Sequence, residues 1–210
     1  MKRLAIVGAG DLGQLIARHA PSCGFSVVGF FDDTRTPGDL TACGPILGPL
    51  AALDAVTPGE RFDGLAMGIG YRHMAFRAAT FDRLAARFAF PPIVHPSCIL
   101  ATQTAIGDGA FLLPGCVLDI GVRIGRNVVL NTACVIAHDS TVEDHSFLGP
   151  GVTLAGFVVV RPCAFLGIRT VVINGVEIAT GVQTGGGALV AKDLLEPGVY
   201  VGVPARKLPA

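Results

Sequence analysis

From Val94 to Val190 an aliphatic residue returns at every sixth position. The series runs Val94, Leu100, Ile106, Leu112, Leu118, Ile124, Leu130, Ile136 and Val142, then Leu148, Leu154, Val160, Leu166, Val172, Ile178, Thr184 and Val190. It holds its register without an insertion, and only Thr184 is not a branched aliphatic. Four residues after each marker there is nearly always a small or β-branched residue, such as Cys98, Ala110, Ser140 or Val176. Sandwich strands would need varied loop lengths and clusters of turn residues. A fixed period of six instead describes a β-helix. Each hexapeptide supplies one short strand and one corner, and three of them close a triangular coil. Successive coils stack at about 4.8 Å, the ordinary strand spacing.

Stacking places residues eighteen apart in columns. Cys98, Cys116 and Cys134 share the inward small position and read as small buried hydrophobes rather than catalytic thiols. Residues flanking the markers point outward. One face then carries Ile99, Val117, Val135, Val171 and Leu189, and a second Phe111, Val129, Phe147 and Phe165. The third carries Arg123, Gly125, Thr141, Glu143, Arg161 and Glu177. Two apolar faces do not suit a monomer in water. A ring in which one apolar face meets a different one on a neighbour can close, and a trimer is expected.

Residues 1–92 have another rhythm. Arg3 to Val7, Ser26 to Phe31 and Gly64 to Ile69 are short apolar runs. Leu12 to Cys23 and Met74 to Phe88 have helical spacing, with Arg77, Arg83 and Arg87 available for the polar side of the latter. Strands alternating with helices predict a parallel sheet. The expected organisation is an α/β Rossmann-like half domain over 1–92 and a β-helix with a C-terminal tail over 93–210.

Gly8, Gly10 and Gly13 form a GxGxxG turn between the first strand and helix, with Asp32 and Asp33 about twenty residues on. Glycines there let a phosphate approach a helix N-terminus, and a carboxylate accepts hydrogen bonds from a ribose or base. The motif alone also suits NAD. A dinucleotide fold, however, needs two mononucleotide-binding halves, and this segment holds little more than one. A mononucleotide carrying a sugar fits the space better. Gly68 and Gly70 end the next strand at the same sheet edge and are expected to add backbone contacts.

Sixteen basic side chains balance sixteen acidic ones, so charge points to neither nucleic acid nor an anionic membrane. No run approaches the ~18 apolar residues of a membrane span. Met1-Lys2-Arg3 ahead of Leu4 to Gly10 faintly resembles a signal peptide, but Asp11 interrupts the stretch and a strand is the better reading. Six cysteines without a CxxC pair predict neither a zinc site nor a disulfide framework. A cytoplasmic protein without a bound metal is expected.

Of the five histidines, His138 carries the strongest chemical expectation. It stands at the second position after Ile136, an exposed corner beside an apolar, partner-covered face. An imidazole ordinarily titrates near 6.5 and can act as a base there. Asp139 at the same corner would orient the ring. His19 belongs to the first helix, His73 lies near the nucleotide edge, and His95 sits at the domain junction. His145, a triangle side from His138, cannot readily share a metal with it.

The whole pattern resembles the bacterial acyltransferases that include sialic-acid O-acetyltransferases and nucleotide-linked amino-sugar N-acetyltransferases. The segments that carry the resemblance are IVGAGDLG (6–13), GFFDD (29–33), MGIGYRHMAFR (67–77), FPPIVHPS (90–97), AHDS (137–140), PGVTLAG (150–156), GGGALVAKD (185–193) and VGVPAR (201–206). The resemblance implies a left-handed helix, against the usual crossover rule, and trimers with acetyl-CoA held between adjacent helices. It places a nucleotide-linked sugar at Gly10, Asp11, Leu12, Asp32 and Asp33. Tyr71 stands where the family often has Asn, which leaves base preference open. His138 and Asp139 match the family's catalytic pair.

Stacking and resemblance together put Gly156 one coil from His138, with a backbone N–H for the oxyanion. The resemblance alone puts Ile168, Gly186 and Gly187 along the pantetheine groove, where glycine allows close approach, with Arg206 or Lys207 near the CoA phosphates. Phe147 occupies a place where the family often has a second histidine, and is expected to pack against the acetyl-CoA arm.

The expected function is acetyl-CoA-dependent N-acetylation of a nucleotide-linked amino sugar in surface glycan (lipopolysaccharide O-antigen) synthesis, with His138 as base. O-acetylation of sialic acid or a related sugar is the alternative. A zinc enzyme of the carbonic anhydrase type would need three convergent imidazoles, which the corners do not supply. A non-catalytic nucleotide-sensing scaffold would be indifferent to replacement of His138.

Overall fold

The computed structural model describes residues 1–209. The chain divides into two compact units, Met1–Ile93 and the residues from Val94 onward.

In the first unit, β1 (Lys2–Val7) leads through the Gly8 turn into α1 (Asp11–His19). Leu12, Gly13, Ile16 and Ala17 are the buried positions of α1, the spacing of one helix face. A 3₁₀ turn and Gly24, at φ 86°, end that segment. β2 (Phe25–Phe31), β3 (Leu40–Thr41), β4 (Gly44–Gly48), β5 (Gly64–Met67) and α2 (Met74–Ala85) follow. The sheet order is β3-β4-β2-β1-β5. β1 lies parallel to both β2 and β5, and only the β3–β4 hairpin at the edge is antiparallel. This is the strand pattern of one half of a doubly wound sheet, with its parallel strand ends aligned on one edge. Phe31, Phe62 and Phe88 form one aromatic chain in its core, and Phe81 packs on Phe90.

One expectation fails here. Arg77 does not lie on the polar side of α2: it is completely buried. Its guanidinium donates to the carbonyl oxygens of Met67 (3.0 Å) and Ile69 (2.7 Å), at the end of β5. Burial pushes its pKa down to about 9.

The second unit is a left-handed parallel β-helix. Its rungs are two-residue strands that end on the markers, such as Ile99–Leu100, Val117–Leu118 and Val135–Ile136. Each pairs in parallel with the strand one coil away, so that Val117 faces Val135 and Ile136 faces Leu154. Three sheets result. They are called here the valine face (Ile99, Val117, Val135, Val171, Leu189), the charged face (Arg123, Thr141, Glu177) and the phenylalanine face (Phe111, Val129, Phe147, Phe165).

The third residue after each marker from Leu100 to Thr184 takes a positive φ, including Asn127, Asp139, His145, Phe157 and Arg169 as well as several glycines. L-residues resist this conformation by roughly 1–2 kcal/mol each. Amide-to-carbonyl bonds between coils, such as Asp139 N–H to Ile120 and Phe157 N–H to His138, hold it in place. Thr184, the odd marker, is buried with its hydroxyl 2.7 Å from that of Thr170, and it accepts the Gly167 N–H.

The cysteine column is inward. Cys116 and Cys134 are fully buried and Cys98 partly so. Contact with the Cys116 thiol and burial hold the Cys98 thiol far above the usual range; contact with the Cys134 thiol, together with burial, pushes Cys116 up to about 12. These groups are not nucleophiles at neutral pH. The faces differ from expectation in one respect: Phe111, Val129 and Phe147 are already buried in the single chain. Only the valine face remains an open apolar strip, with Ile99, Val135 and Val171 exposed. On the charged face Arg161 bridges Glu143 (3.0 Å) and Glu177 (2.8 Å).

Candidate active site

In the first unit a cavity of about 350 Å³ opens at the sheet edge. Gly8, Gly10, Asp32, Asp33, Gly68 and Gly70 line it, as do Thr34, Leu50, Ile69, His73 and Phe76. Gly13 and Gly68 both press closely on Gly8. A Cβ on Gly13 would collide with the Gly8 carbonyl oxygen, and one on Gly68 would lie 2.6 Å from the same atom. The helix start and the β5 end can therefore close on the turn only without side chains.

Leu12 is buried and Asp11 is exposed, and neither lines the cavity. Asp32 is largely engaged with its own loop. Its Oδ2 accepts the Ala9 N–H at 2.7 Å, and its Oδ1 accepts from both the amide (2.8 Å) and the hydroxyl (2.6 Å) of Thr34. Burial opposes its charge, but these bonds outweigh that effect and hold the carboxyl below its ordinary range. Asp33 uses Oδ1 to accept the Leu50 N–H at 2.7 Å, which caps a 3₁₀ helix over Leu50–Ala55. The pair thus ties the glycine turn and a second loop to the end of β2.

In the second unit, His138 and Asp139 occupy the corner between the valine and charged faces. Asp139 Oδ2 is 3.0 Å from His138 Nδ1, and about half of each side chain is exposed. The pairing directs Nε2 along the column toward the next coil. Phe157 meets the imidazole edge-on, with ring centres 5.0 Å apart. Gly156 lies beneath the ring: a Cβ there would be 2.6 Å from Nε2 and 3.0 Å from Asn174 Oδ1. Among the described residues the Gly156 amide donates to no protein acceptor.

Ile168, Gly186 and Gly187 gather at a different corner, between the phenylalanine and valine faces. Ile168 is 55% exposed, and a Cβ on Gly186 would press on its Cγ2 at 2.9 Å. The missing side chain keeps a slot open beside Ile168. Within one chain the valine face separates this slot from His138. Phe147 is only 6% exposed, stacked on Phe165 at 5.9 Å. Arg206 is exposed on the last strand, Arg206–Lys207. His145 is buried, with Nδ1 3.0 Å from Asn127 Nδ2. His95 Nδ1 lies 2.7 Å from the Ser97 hydroxyl. Among the described residues no group of His, Cys, Asp and Glu could hold a metal. None of their helices is long and apolar enough to cross a membrane.

Sequence reasoning passed over Phe157, Asn174 and Phe76, and it misplaced Arg77. The signal for the first two was present: the eighteen-residue step from His138 to Gly156 leads next to Asn174, and from Asp139 to Phe157.

A family model described as bacterial transferase hexapeptide (six repeats) matches residues 121–156. The acetyltransferase domain of PglB from Neisseria gonorrhoeae, solved with acetyl coenzyme A, is 27% identical over 99% of each chain, with a TM-score of 0.90. Perosamine N-acetyltransferase from Caulobacter crescentus was solved as a histidine-to-asparagine variant with CoA and GDP-perosamine. It is 26% identical over 100% of this chain and 98% of that one, with a TM-score of 0.91. WeeI from Acinetobacter baumannii, 22% identical over 99% of this chain and 100% of that one, shares the fold with a TM-score of 0.81.

The coiled unit, its repeat and this full-length likeness define a hexapeptide-repeat acetyltransferase. Within that class the repeat and the full-length matches support a sugar acetyltransferase, with an α/β unit ahead of the helix in the chain.

Proposed function

We propose that the protein transfers the acetyl group of acetyl-CoA to the amine of a nucleotide-linked amino sugar. The observation that carries this reading is the His138–Asp139 pair aimed over Gly156 at an exposed corner. His138 Nε2 accepts a proton from the attacking nitrogen, and Asp139 holds the ring at Nδ1 in the required tautomer. The Gly156 N–H donates to the oxygen on which negative charge develops.

The front cavity takes the nucleotide. Gly10 and the start of α1 face its phosphates, Gly68 and Gly70 add backbone contacts, and Asp33 and the loop braced by Asp32 receive the ribose or base. Leu12 supports the helix start from below, while Asp11 borders the site. Acetyl-CoA, the co-substrate, lies in the slot kept open by Gly186 and Gly187 against Ile168, with Arg206 near its phosphates. Phe147 supports this region from within rather than through a broad contact surface.

Because the slot and His138 lie on opposite sides of an open valine face, a homotrimer is proposed, in which a neighbour's slot meets His138 across that face. The PglB and perosamine enzymes, with acetyl-CoA or CoA and GDP-perosamine bound, support the choice of substrates. Free thiols and a reaction that uses CoA and nucleotide sugars suit the cytoplasm, and surface glycan synthesis is the natural use of the product.

Purified protein is to be mixed with acetyl-CoA and a panel of UDP-, GDP- and dTDP-linked amino sugars, and CoA release followed. At least one amino sugar should be turned over, and His138→Asn should lower kcat roughly 10²-fold or more. Turnover of free sialic acid alone would sink the reading.

A further inference from the structure

His138 does not face its notch alone. The column below it continues through Gly156 to Asn174 and Lys192. The position of a Cβ on Gly156 would be 2.6 Å from His138 Nε2 and 3.0 Å from Asn174 Oδ1. Those two acceptor atoms are therefore no further apart than the sum of these distances, about the span of one atom hydrogen-bonded to both. Asn174 is exposed, and its side chain makes no hydrogen bond among the described residues. Gly156 creates the gap, and the side chains above and below lean into it.

We infer that Asn174 is a second substrate-contacting residue of this site and that it selects a primary amine over a hydroxyl as the acetyl acceptor. The inference rests on the acetyl-transfer reading above. A neutral primary amine carries two N–H bonds and one lone pair. One hydrogen goes to His138 Nε2 and the other to Asn174 Oδ1, which leaves the lone pair directed away from both, at the thioester carbonyl. Attack forms the C–N bond. The proton held by Nε2 passes to the imidazole as the C–S bond breaks, and then to the departing thiolate. The hydrogen on Asn174 stays with nitrogen and becomes the amide N–H of the product. A hydroxyl has one hydrogen. Given to His138, it leaves Oδ1 facing oxygen lone pairs, an unpaired contact that a site built on hydrogen bonds rejects.

The test compares wild type with Asn174→Ala on the best amino sugar of the panel and on the same nucleotide sugar with a hydroxyl at that carbon. Loss of Asn174 is expected to lower kcat for the amine about 10-fold or more with little change in either KM. Turnover of the hydroxyl compound should stay level, so that the ratio between the two acceptors collapses. Equal losses on both acceptors, or no loss on either, would overturn the inference while leaving acetyl transfer standing.

Should wild type turn over no amino sugar, the acetyl-transfer reading fails by itself, and the geometry is decided by titration of the His138 ring by NMR in Asn174→Asp. Asp139 is the carboxylate already paired with that ring. A second carboxylate at the Nε2 side should raise the ring's midpoint by a measurable fraction of a unit or more. No movement would place Asn174 out of reach and end the proposal.

Discussion

Gly156 is buried where any side chain would meet an imidazole from above and a carboxamide from below. Its φ is not in the left-handed region, so alanine is acceptable to the backbone and the conflict is confined to the site. Gly156→Ala should displace the His138 ring and lower kcat by about 10²-fold, the usual consequence of an ångström of misplacement. Its melting temperature should change little; a large drop would show that the glycine serves the coil instead of the ring. Arg77 is the opposite kind of residue, remote from the reacting atoms yet buried against two carbonyls at the cavity wall. Arg77→Met leaves Met67 and Ile69 oxygens without that donor, and should destabilise the fold by about 3 kcal/mol, measured by urea unfolding. His138 was legible because a corner position in a six-residue period fixes its exposure. Arg77 was not, because spacing along a helix does not say that a strand end across from it lacks hydrogen-bond donors.

At the scale of elements, the coils were readable almost residue by residue, since one inward aliphatic per rung is what closes the triangle. Thr184 was the one marker whose reason lay elsewhere, in its hydrogen bond with the hydroxyl of Thr170. The α/β unit was readable as strands and helices, but its loops were not. The hairpin of β3 and β4 and the 3₁₀ segment at Leu50–Ala55 have no period, and they depend on contacts such as Asp33 with the Leu50 amide. For the same reason Asp32 reads in sequence as a ligand group, although in the fold it first braces the glycine turn. That bracing has a pH signature. The folded carboxyl is held below its ordinary value. Its contribution is therefore fully present above the unfolded pKa, near 4, and is lost as pH falls through the lower folded value. Wild type should melt above Asp32→Asn at pH 7, with the gap closing below pH 4. A gap that is constant from pH 7 to pH 3 would mean that the charged form of Asp32 is not what holds the turn.

For the whole molecule, the valine face joins sequence, site and assembly. Of the two apolar faces expected from alternation, the phenylalanine face is covered in the single chain, and the valine face is not. An exposed strip of this kind marks a contact surface. It lies between the corner that holds the base and the corner that holds the CoA slot, so whatever covers it also decides which slot serves which base. In the proposed trimer each neighbour would bring its own slot to the next His138, and three sites would arise from three interfaces. Ile99, 65% exposed, and Val135, 38% exposed, belong to this strip, away from the marker residues that fill the coil. Replacing both with glutamate puts like charges on the strip without opening the core. Wild type should sediment with about three times the mass of one chain. The Ile99→Glu, Val135→Glu variant should sediment as a single chain, keep the far-ultraviolet spectrum of the fold and lose turnover. A single-chain mass for wild type at micromolar concentration, with turnover intact, would show that one chain brings base and thioester together by itself, and the ring would be unnecessary.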